Sequence, residues 1–407
     1  MCSSQQTEIG RFPKEWRLAK IDDNFSLQQG KSLSAKERTG EHLKPFLRTA
    51  NVFWGQIDVQ TVDEMDIPPK DRERLALRYG DVLVCEGGDI GRTAIWKDEL
   101  KECYYQNHLH RLRPKNDSIN PFFFVRWMEA GFRTLNLYAG SGNRTTIPNL
   151  SSSRLKEFKF PLPPVLEQKK IATVLSKLQR AIEVQDMLIQ SMSNLKQSAM
   201  NYLFTYGLVT GEDIQKEERS RVAKYWKTSR LDEFIRLQRG FDITKRQQIN
   251  GRVPVISSSG IHSHHATAMV KGPGVVIGRK GSLGTVHFVE EDFWPHDTTL
   301  WVTDFKGNKP LFIYYFLQTL RLQKLDTGTS NPTLNRNAVH ALEVSLPDIP
   351  VQTEIANILQ TIDKKLEAHE SQKASLENLF KTALNRLMTG QVRVKDLDID
   401  TSEVEVA

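Results

Sequence analysis

Two stretches of this chain, 184 residues apart, decide its fold because they repeat each other. Residues 162–183 read LPPVLEQKKIATVLSKLQRAIE, and residues 346–367 read LPDIPVQTEIANILQTIDKKLE. The register continues without a gap to Leu203 and Leu387. A weaker repeat lies upstream, where KIDDNFSLQQG at residues 20–30 matches RLDEFIRLQRG at residues 230–240. The order is therefore globule, long helix, globule, long helix, and such a duplication offers a partner two copies of a site related by a pseudo-two-fold axis.

Both repeated stretches predict long amphipathic helices. Their apolar residues recur at spacings of seven and four, which places them on one helix face. Prolines at the entries and glycines near the exits, Gly207 and Gly390, delimit helices of roughly 38–42 residues, or about 60 Å. A helix this long with one apolar face needs a partner, so we expect the two copies to pair as an antiparallel coiled coil, with one globule near each end. The residues predicted to form this pair are Ile171, Leu175, Leu178, Ile182, Ile189, Met192, Leu195, Leu203, Ile355, Leu359, Ile362, Leu366, Leu376, Leu379, Phe380 and Leu387.

A polar residue interrupts the apolar row near the middle of each copy. It is Gln185 in the first copy and His369 in the second. Two interpretations are open: a polar layer that fixes the register at some cost in stability, or a locally exposed or water-bridged position.

The globules predict an α+β fold, each with short strands, long loops and one apolar helix. The helices should begin at Pro121 and Pro310. Strands are expected at residues 81–84, 94–96 and 109–112 of the first copy and 275–277, 285–288 and 299–302 of the second. The predicted organisation is a first globule (1–160), a first long helix (161–208), a second globule with its linker (209–344), a second long helix (345–392) and an acidic tail (393–407).

Several short motifs fail as catalytic signatures. Residues 120–123, NPFF, resemble the Asn/Asp-Pro-Pro-Tyr/Phe loop of amino-methyltransferases but lack the second proline, so they predict a helix start. GGDIGR at 87–92 and GRKGSLG at 278–284 lack P-loop spacing and predict tight turns. The histidines His262, His264 and His265 have no cysteine or carboxylate to complete a metal-ligand set. We therefore expect a non-catalytic chain without a metal site.

Charge and cysteine usage indicate the kind of partner. The net charge is +7, and the five acids of residues 396–407, where no base occurs, leave +12 on the rest of the 407-residue chain. A basic body suits an anionic partner. The three cysteines show neither metal-ligand nor disulfide spacing, and no signal core or membrane-spanning apolar run is visible. These features predict a cytoplasmic protein without a membrane partner.

Groups suited to DNA concentrate in the loops that differ between the copies. Arg and Lys can donate to guanine, Asn and Gln can pair with adenine, and all of them can hold phosphate. The candidates are Lys31, Lys36, Arg38, Arg48, Asn51, Arg92, Gln106, Asn107, Arg144 and Thr145 in the first globule, and Arg239, Lys245, Arg246, Ser258, His262, Arg279, Lys280, Asp297 and Asn331 in the second.

With these features the chain resembles the specificity subunit of type I DNA restriction–modification systems. The resemblance covers nearly the whole chain. It is carried by LQQG at 27–30 and LQRG at 237–240, by the duplicated Leu-Pro-x-x-x-x-Gln-x-x-Ile-Ala string, and by helix exits near YGLVTG and LMTGQVRV. It implies that each globule is a target-recognition domain that reads one half of a split, asymmetric double-stranded DNA sequence.

The same resemblance implies a set of partner subunits. The paired helices would act as a ruler and bind two modification subunits, which hold S-adenosylmethionine and methylate adenine. Restriction subunits with ATP-driven translocation and DNA cleavage would join that core. The chain itself would then need no cofactor, and S-adenosylmethionine, ATP and Mg would be expected only in the partner subunits.

The spacing of the two half-sites follows from DNA geometry. Two domains that enter the major groove on one face of B-DNA have centres about one helical turn, roughly 10 bp, apart. With half-sites of about 3–4 bp, the unread spacer would be about 6–7 bp. The loop GTSNPTL at 328–334 is shorter than its counterpart GSGNRTTIPNL at 140–150, so the half-sites should differ.

Three alternatives stay open. A coiled-coil scaffold whose globules bind proteins would show no salt-dependent DNA affinity. A self-sufficient DNA-modifying enzyme would methylate DNA as an isolated chain. A methylation-only defence system could use the same subunit, and its neighbouring genes would distinguish it.

Overall fold

The computed structural model describes residues 4–32, 38–138, 149–208, 226–326 and 332–402. The chain forms two compact units. Unit 1 comprises residues 1–185 and 372–407, and unit 2 comprises residues 186–371. Each unit holds one globule together with the first half of one long helix and the second half of the other. The linear segment boundaries stay a prediction, because the compact units share the long helices instead of following them.

The first globule and its long helix contain eleven strands and five α-helices among the described residues. In chain order these are β1 Ser4–Thr7, β2 Gly10–Pro13, β3 Arg17–Lys20, α1 Ile21–Asn24, β4 Phe25–Gln29, β5 Leu43–Leu47, β6 Asp63–Asp66, α2 Pro69–Leu75, β7 Val82–Cys85, β8 Thr93–Ile95, β9 Tyr104–Tyr105, β10 Leu109–Pro114, α3 Pro121–Arg133, α4 Ser152–Lys156, β11 Lys159–Leu162 and α5 Val165–Tyr206.

The second globule and its long helix follow the same plan. Their elements are β12 Lys227–Arg230, β13 Arg236–Arg239, β14 Val253–Ser257, β15 Gly260–His265, β16 Gly274–Gly278, β17 Val286–Val289, β18 Trp294–Pro295, β19 Thr299–Asp304, α6 Pro310–Thr319, α7 Arg336–His340, β20 Glu343–Leu346 and α8 Ile349–Met388. The predicted strands and apolar helices of both globules are confirmed, with ends shifted by one or two residues.

The sheet topology repeats between the globules. The four-stranded sheet has the order β4-β10-β7-β8 in the first and β13-β19-β16-β17 in the second. A three-stranded sheet follows the same rule, β6-β5-β9 and then β15-β14-β18, with one parallel pair in each, β5 with β9 and β14 with β18. A third pairing, β3 with β11 and β12 with β20, joins the start of each globule to the strand that precedes its long helix. The duplication therefore extends through the globules, where sequence identity is weak.

The glycine-rich sequences are tight turns, as predicted. Gly88 and Gly91 have φ of 73° and 81°, and their counterparts Gly281 and Gly284 have φ of 75° and 71°. A positive φ of this size is open to glycine at little cost. The amide of Gly91 donates to the Cys85 carbonyl at 3.0 Å and that of Gly284 to the Gly278 carbonyl at 2.9 Å. These are equivalent hydrogen bonds, so the turns close the same strand connection in both copies.

The long helices, of 42 and 40 residues, run antiparallel. In unit 1, Ile171 and Leu175 near the start of α5 share a core with Leu387 near the end of α8. In unit 2, Leu203 near the end of α5 shares a core with Ile355 near the start of α8. The predicted pairing is confirmed, and each fully buried Leu or Ile contributes about 1.5–3 kcal/mol.

Two of the predicted pairing residues are wrong. Leu195 and Leu379 are 51% and 52% exposed. The row that contains Leu175 is still buried at Leu203, which is 6% exposed. Leu195 belongs instead to a flanking row with Leu188, which is itself 38% exposed. This flanking row lies at the edge of the apolar stripe and faces solvent.

The repeated glutamine of the Leu-Pro-x-x-x-x-Gln string has a structural role. Gln168 is fully buried. Its side-chain oxygen accepts from the Asn120 amide at 2.9 Å, and its amide nitrogen donates to the carbonyls of Ser118 and Pro163 at 2.9 and 2.8 Å. Asn120 caps α3 by accepting from the Phe123 amide at 2.9 Å. The glutamine thus joins the start of the long helix to the start of the globule's apolar helix.

The second copy contains the same connection. The oxygen of Gln352 accepts from the Lys309 amide at 3.1 Å, and its nitrogen donates to Asn308 Oδ1 at 2.8 Å and to the Pro347 carbonyl at 2.9 Å. Lys309 immediately precedes α6, as Asn120 precedes α3. The motif is therefore a folding signal for the junction between globule and helix.

The polar positions near the middle of the helices differ in burial. Gln185 is 8% exposed in unit 1, and His369 is half-buried in unit 2. Burial of Gln185 does not fit the locally exposed alternative for the first copy. Over the described part of the chain, no helix combines the length and the apolar character needed to cross a membrane.

Candidate nucleic-acid interface

Four chain segments meet at one end of the four-stranded sheet of the first globule. They are the end of β4, the turn after β7, the loop before β10 and the approach to α4. The Asn107 amide donates to the Lys31 carbonyl at 2.8 Å, and the Leu150 amide donates to the Glu86 carbonyl at 2.7 Å. Lys31 and Gln106 form an isolated parallel bridge. We call this end of the sheet, with its four segments, the sheet end.

The second globule builds the same sheet end. The Phe241 amide donates to the Pro295 carbonyl at 2.8 Å, and Phe241 bridges His296 as Lys31 bridges Gln106. The Leu334 amide donates to the Arg279 carbonyl at 2.9 Å, the counterpart of the Leu150–Glu86 bond. Backbone hydrogen bonds therefore hold both sheet ends in the same arrangement, whatever side chains they carry.

A repeated glycine allows the segments to approach this closely. A Cβ atom at Gly30 would lie 2.4 Å from the Gln106 carbonyl oxygen, and one at Gly240 would lie 2.1 Å from the His296 carbonyl oxygen. Neither distance is compatible with a side chain. The glycines of LQQG and LQRG are therefore required by close backbone approach and not by a ligand.

The side chains at equivalent positions of the two sheet ends differ in charge. In the first, Gln29 Nε2 donates to Glu86 Oε2 at 3.1 Å and to the Asn107 carbonyl at 2.9 Å. In the second, Arg239 replaces Gln29 and pairs with Asp297 at 2.9 Å. The paired positions are Gln29 with Arg239, Glu86 with Arg279, and Asn107 with Asp297. One scaffold thus presents two different sets of hydrogen-bonding groups.

Most described candidates of the first globule lie at or beside its sheet end. Lys31 pairs with Asp71 at 3.3 Å, and the Gln106 amide donates to the Leu47 carbonyl, next to Arg48, at 2.9 Å. The half-buried candidates are Lys31, Arg48, Arg92, Gln106 and Asn107, while Arg38 is exposed. Arg92 donates to the Thr49 carbonyl at 3.0 Å and lies over the Phe53 ring at 5.6 Å. The structure therefore brings five of the predicted residues together.

Asn51 is not available to DNA as predicted. It is 3% exposed. Its oxygen accepts from the Arg48 amide at 2.9 Å, and its nitrogen donates to the carbonyls of Asp58 and Thr61 at 3.1 Å each. The oxygen and both amide hydrogens of Asn51 are thus engaged with backbone groups of the segment that carries Arg48, because buried backbone groups need hydrogen-bond partners.

The second globule brings Arg239, Arg279 and Asp297 together at its sheet end. Arg279 donates to the Asp297 carbonyl at 3.4 Å, in addition to the Arg239–Asp297 ion pair. The candidates Lys245, Arg246, His262 and Lys280 are exposed. Ser258 is wrong as an accessible donor, because it is 8% exposed and sits under the turn that contains Thr285, whose hydroxyl donates to the Ser258 carbonyl. The candidates Lys36, Arg144, Thr145 and Asn331, with most of the two unequal loops, lie outside the described residues.

The histidines of β15 do not form a ligand set among the described residues. His262 and His264 are exposed, whereas His265 is buried. His265 Nδ1 accepts from the Ile249 amide at 2.9 Å, and its ring packs edge-on against Trp294. Elsewhere, possible ligand atoms of Asp242, His296 and Asp297 lie within 4.8 Å of one another. Asp297 is already paired with Arg239, so these groups belong to the polar sheet end.

A buried histidine supports the first sheet end through a hydrogen bond. His110 is fully buried, and its Nε2 donates to the Leu150 carbonyl at 2.9 Å. Burial lowers the pKa of His110, while the Leu150 carbonyl and Glu86 act in the opposite direction. The imidazole is therefore neutral, and its N–H donates the hydrogen bond to the loop that precedes α4. The second globule has Leu300 at this position.

A larger cleft of about 570 Å³ lies elsewhere in unit 1, between the globule and the first half of α5. It is lined by both charge signs, including Lys97, Arg126 and Glu183. Arg126 is paired with buried Glu129 at 2.9 Å, and burial lowers the pKa of Lys97. Mixed charge of this kind does not match a polyanion, and the cleft contains none of the predicted DNA candidates.

Sequence reasoning missed three residues of the sheet ends: Gln29, Glu86 and Arg336. A signal for the first existed, because Gln29 and Arg239 are the differing letters of LQQG and LQRG. Glu86 and Arg336 could have been found only by aligning the turns and the short helices α4 and α7, which share almost no identity.

With this geometry in place, comparison with known proteins identifies the family. The model of the type I restriction modification DNA specificity domain matches residues 13–191 and again residues 223–378. The chain therefore belongs to this family, and the two matches correspond to the two copies of globule and helix.

Full-length relatives agree with the family model. The chain is 23% identical over 418 residues to the putative type I restriction enzyme MjaX specificity subunit of Methanocaldococcus jannaschii, covering 96% of this chain and 97% of the relative. It is 22% identical over 374 residues to the type I restriction enzyme EcoBI specificity subunit of Escherichia coli, covering 80% and 77%.

Solved structures show the same fold. The crystal structure of the type I restriction-modification system S subunit from M. genitalium superposes with a TM-score of 0.65 at 18% identity, covering 91% of this chain and 96% of that one. A chain from a structure on complex assembly and conformational transition of the type I R-M system gives a TM-score of 0.57 at 14% identity, covering 94% and 99%. Two recognition globules separated by long helices are thus the architecture of this family.

Proposed function

We propose that this chain reads a split, asymmetric DNA sequence, with one half-site for each globule. The observation that supports the proposal is the pair of sheet ends. The same backbone presents Gln29, Glu86 and Asn107 in one globule and Arg239, Arg279 and Asp297 in the other. Base edges are distinguished by the pattern of donors and acceptors that meets them. Two different patterns on one scaffold fit two different half-sites.

We further propose that the chain acts as a non-catalytic specificity subunit. Adenine methylation, with its S-adenosylmethionine, would belong to two modification subunits. DNA cleavage and ATP hydrolysis with Mg would belong to restriction subunits. The paired helices would set the unread spacer, for which about one helical turn between the recognition centres gives about 6–7 bp.

Exposed leucines at equivalent positions support two docking sites on the helices. Leu195 and Leu379 lie 184 residues apart in the repeat and are 51% and 52% exposed. Met187 and Leu188 are 62% and 38% exposed on the same helix as Leu195. Exposed apolar side chains that are grouped on a surface, as these three are along α5, are typical of a protein-binding site. Because the leucines repeat, they fit two copies of one subunit.

Methylome sequencing tests the recognition proposal. A host would express this chain with its cognate modification subunit, and its DNA would be sequenced by a single-molecule method that detects methyl-adenine. We expect a split motif with methyl-adenine on opposite strands in its two halves. If the complex assembles but no motif appears, the protein-binding scaffold becomes the better interpretation.

A domain exchange tests the assignment of half-sites. Replacing residues 31–149 with the corresponding segment of another family member should change one half of the motif and leave the other half and the spacer intact. A change in both halves would contradict the modular reading. A spacer beyond about 9 bp would contradict docking of both domains on one face of B-DNA.

Charge substitution tests the docking proposal. Leu195→Glu and Leu379→Glu should each remove one of two modification subunits from the complex, measured by native mass spectrometry, with unchanged thermal stability of the chain. Ile249→Glu is the matched control, because Ile249 is also exposed, at 65%, but lies on the second globule. Two bound subunits in the double variant would place docking elsewhere.

A further inference from the structure

The second globule contains a basic surface pocket at its sheet end. The pocket has a volume of about 330 Å³. Its walls come from the end of β13, the turn after β16 and the start of α7. Three arginines, Arg239, Arg279 and Arg336, line it together with Asn335 and Asn337, and no described lining residue is acidic.

Hydrogen bonds to Asp297 hold two of the arginines in place. Arg239 donates to Asp297 Oδ2 at 2.9 Å, and Arg279 donates to the Asp297 carbonyl at 3.4 Å. Arg336 is exposed and is the first residue of α7, after the N-cap Asn335. Asp297, nearby Asp242, and Asp326, which bridges the lining residue Leu334, offset part of the charge, and the exposed Lys280, which bridges the lining residue Thr333, adds to it. The local balance is therefore positive.

The equivalent positions of the first globule carry no cation. Gln29 occupies the place of Arg239, Glu86 that of Arg279, and Ser152 that of Arg336, as the first residue of α4 after its N-cap. Gln29 and Glu86 are hydrogen-bonded to each other at 3.1 Å. Because the backbones match, the three arginines are a property of the second copy and not a by-product of the fold.

We propose that Arg336 of this pocket holds a backbone phosphate of DNA beside the base edges that meet Arg239 and Arg279, a contact that the first globule, with Ser152 at this position, does not make. Guanidinium groups present several donors to a phosphate oxyanion and are weakly hydrated, which suits them to this contact. The proposal rests on the proposed DNA-reading function and adds an asymmetry to it. The second globule would carry a larger share of the sequence-independent affinity, and Arg336 would be a phosphate-positioning residue.

Salt dependence of DNA binding tests the proposal. The complex of this chain with its modification subunits would be titrated with fluorescent target and non-target duplexes between about 50 and 300 mM salt. Each phosphate contact contributes about 0.9 to the slope of log K against log salt. Arg336→Ser, which installs the residue of the first copy, should lower the slope by about 1. At about 0.15 M salt it should weaken both duplexes by about fivefold.

Arg252→Ser is the matched control. Arg252 is exposed and immediately precedes β14, at the opposite end of the strand from Ile256, whose carbonyl accepts from the His296 amide at the sheet end. The Arg252→Ser substitution removes the same charge from the same globule, and we expect no change in the slope of log K against log salt. The combined variant with Arg239→Gln and Arg279→Glu, which reproduces the first sheet end, should not recover the slope.

The outcomes separate this inference from the proposed function. Absence of salt-dependent binding by the unmodified complex would overturn both. Normal binding, with identical slopes for Arg336→Ser and Arg252→Ser, would overturn the pocket alone. Stabilisation by millimolar orthophosphate that is lost in Arg336→Ser, without an effect on DNA affinity, would show a site for free phosphate and would overturn the DNA assignment. Matching melting temperatures would show that the variants fold.

Discussion

Removing the buried glutamine of the helix entry should destabilise unit 1 strongly. Gln168 is fully buried and makes three hydrogen bonds, to the Asn120 amide and to the carbonyls of Ser118 and Pro163. Gln168→Ala deletes all three and leaves a buried amide and two carbonyls without these partners. At about 1 kcal/mol for each bond, the loss is about 3 kcal/mol, before any further penalty for the unsatisfied groups.

The expected change in melting temperature follows from the size of the unit. Unit 1 contains roughly 220 residues, a size at which 1 kcal/mol shifts the melting temperature by about 2–4 °C. Gln168→Ala should therefore lower the melting temperature by about 6–12 °C in a circular dichroism or calorimetric melt. Gln168→Glu should also destabilise, because it keeps the acceptor but loses both donations and buries a charge.

The same helix provides the control. Gln190 is exposed, and its amide donates to Asn194 on the same helix at 3.0 Å. Gln190→Ala should change stability by no more than about 0.5 kcal/mol. Gln352→Ala should reproduce the large effect in unit 2. The reasoning would be refuted if Gln168→Ala and Gln190→Ala had the same melting temperature.

Three further predictions concern the charge network at the helix entry and the two sheet ends. Arg393→Ala should destabilise the chain by about 3 kcal/mol in denaturant melts, because Glu167, 2% exposed, loses the partner that contacts it at 2.6 Å; the exposed Arg252→Ala should be neutral. His110 has a pKa lowered by burial, so its stabilising effect should be present above about pH 6.5 and be lost as the pH falls from there through the lowered value. His110→Leu, the residue of the second copy, should flatten that acid dependence of the melting temperature; equal pH profiles would contradict it. Gly240→Ala should destabilise unit 2 by more than about 1 kcal/mol, since its Cβ would lie 2.1 Å from the His296 carbonyl oxygen. An unchanged melting temperature would contradict this prediction and show that the loop moves aside without cost.

Much of the architecture could be predicted from sequence because it rests on periodicity and repetition. The apolar rows around Leu175 and Leu359 gave the helices and their pairing, since only a second apolar face can cover the first. The prolines and Asn120 gave the start of the globular helix. The turn glycines Gly88 and Gly281 gave the strand connections, since glycine reaches positive φ at little cost.

The wrong and missed assignments share one cause, which is that local pattern does not report the environment of a side chain. Asn51 has an amide group suited to pairing with adenine, but this group makes its hydrogen bonds within its own turn. Leu195 follows the heptad spacing of Leu188, yet this row lies at the edge of the apolar stripe and is exposed. Glu86 and Arg336 carried no signal, because their partners at the sheet end come from segments distant in the chain.

The sequence by itself determined that this protein is a duplication of globule and helix, which helix faces must be covered, and the family it resembles. The tertiary structure decided that the helices exchange halves between two units and that four segments converge at each sheet end. It also decided that Gln29, Glu86 and Ser152 stand where Arg239, Arg279 and Arg336 stand in the other copy. The physical reason is that the positions to be buried recur periodically along the sequence, whereas the net charge of a site depends on residues that only folding brings together.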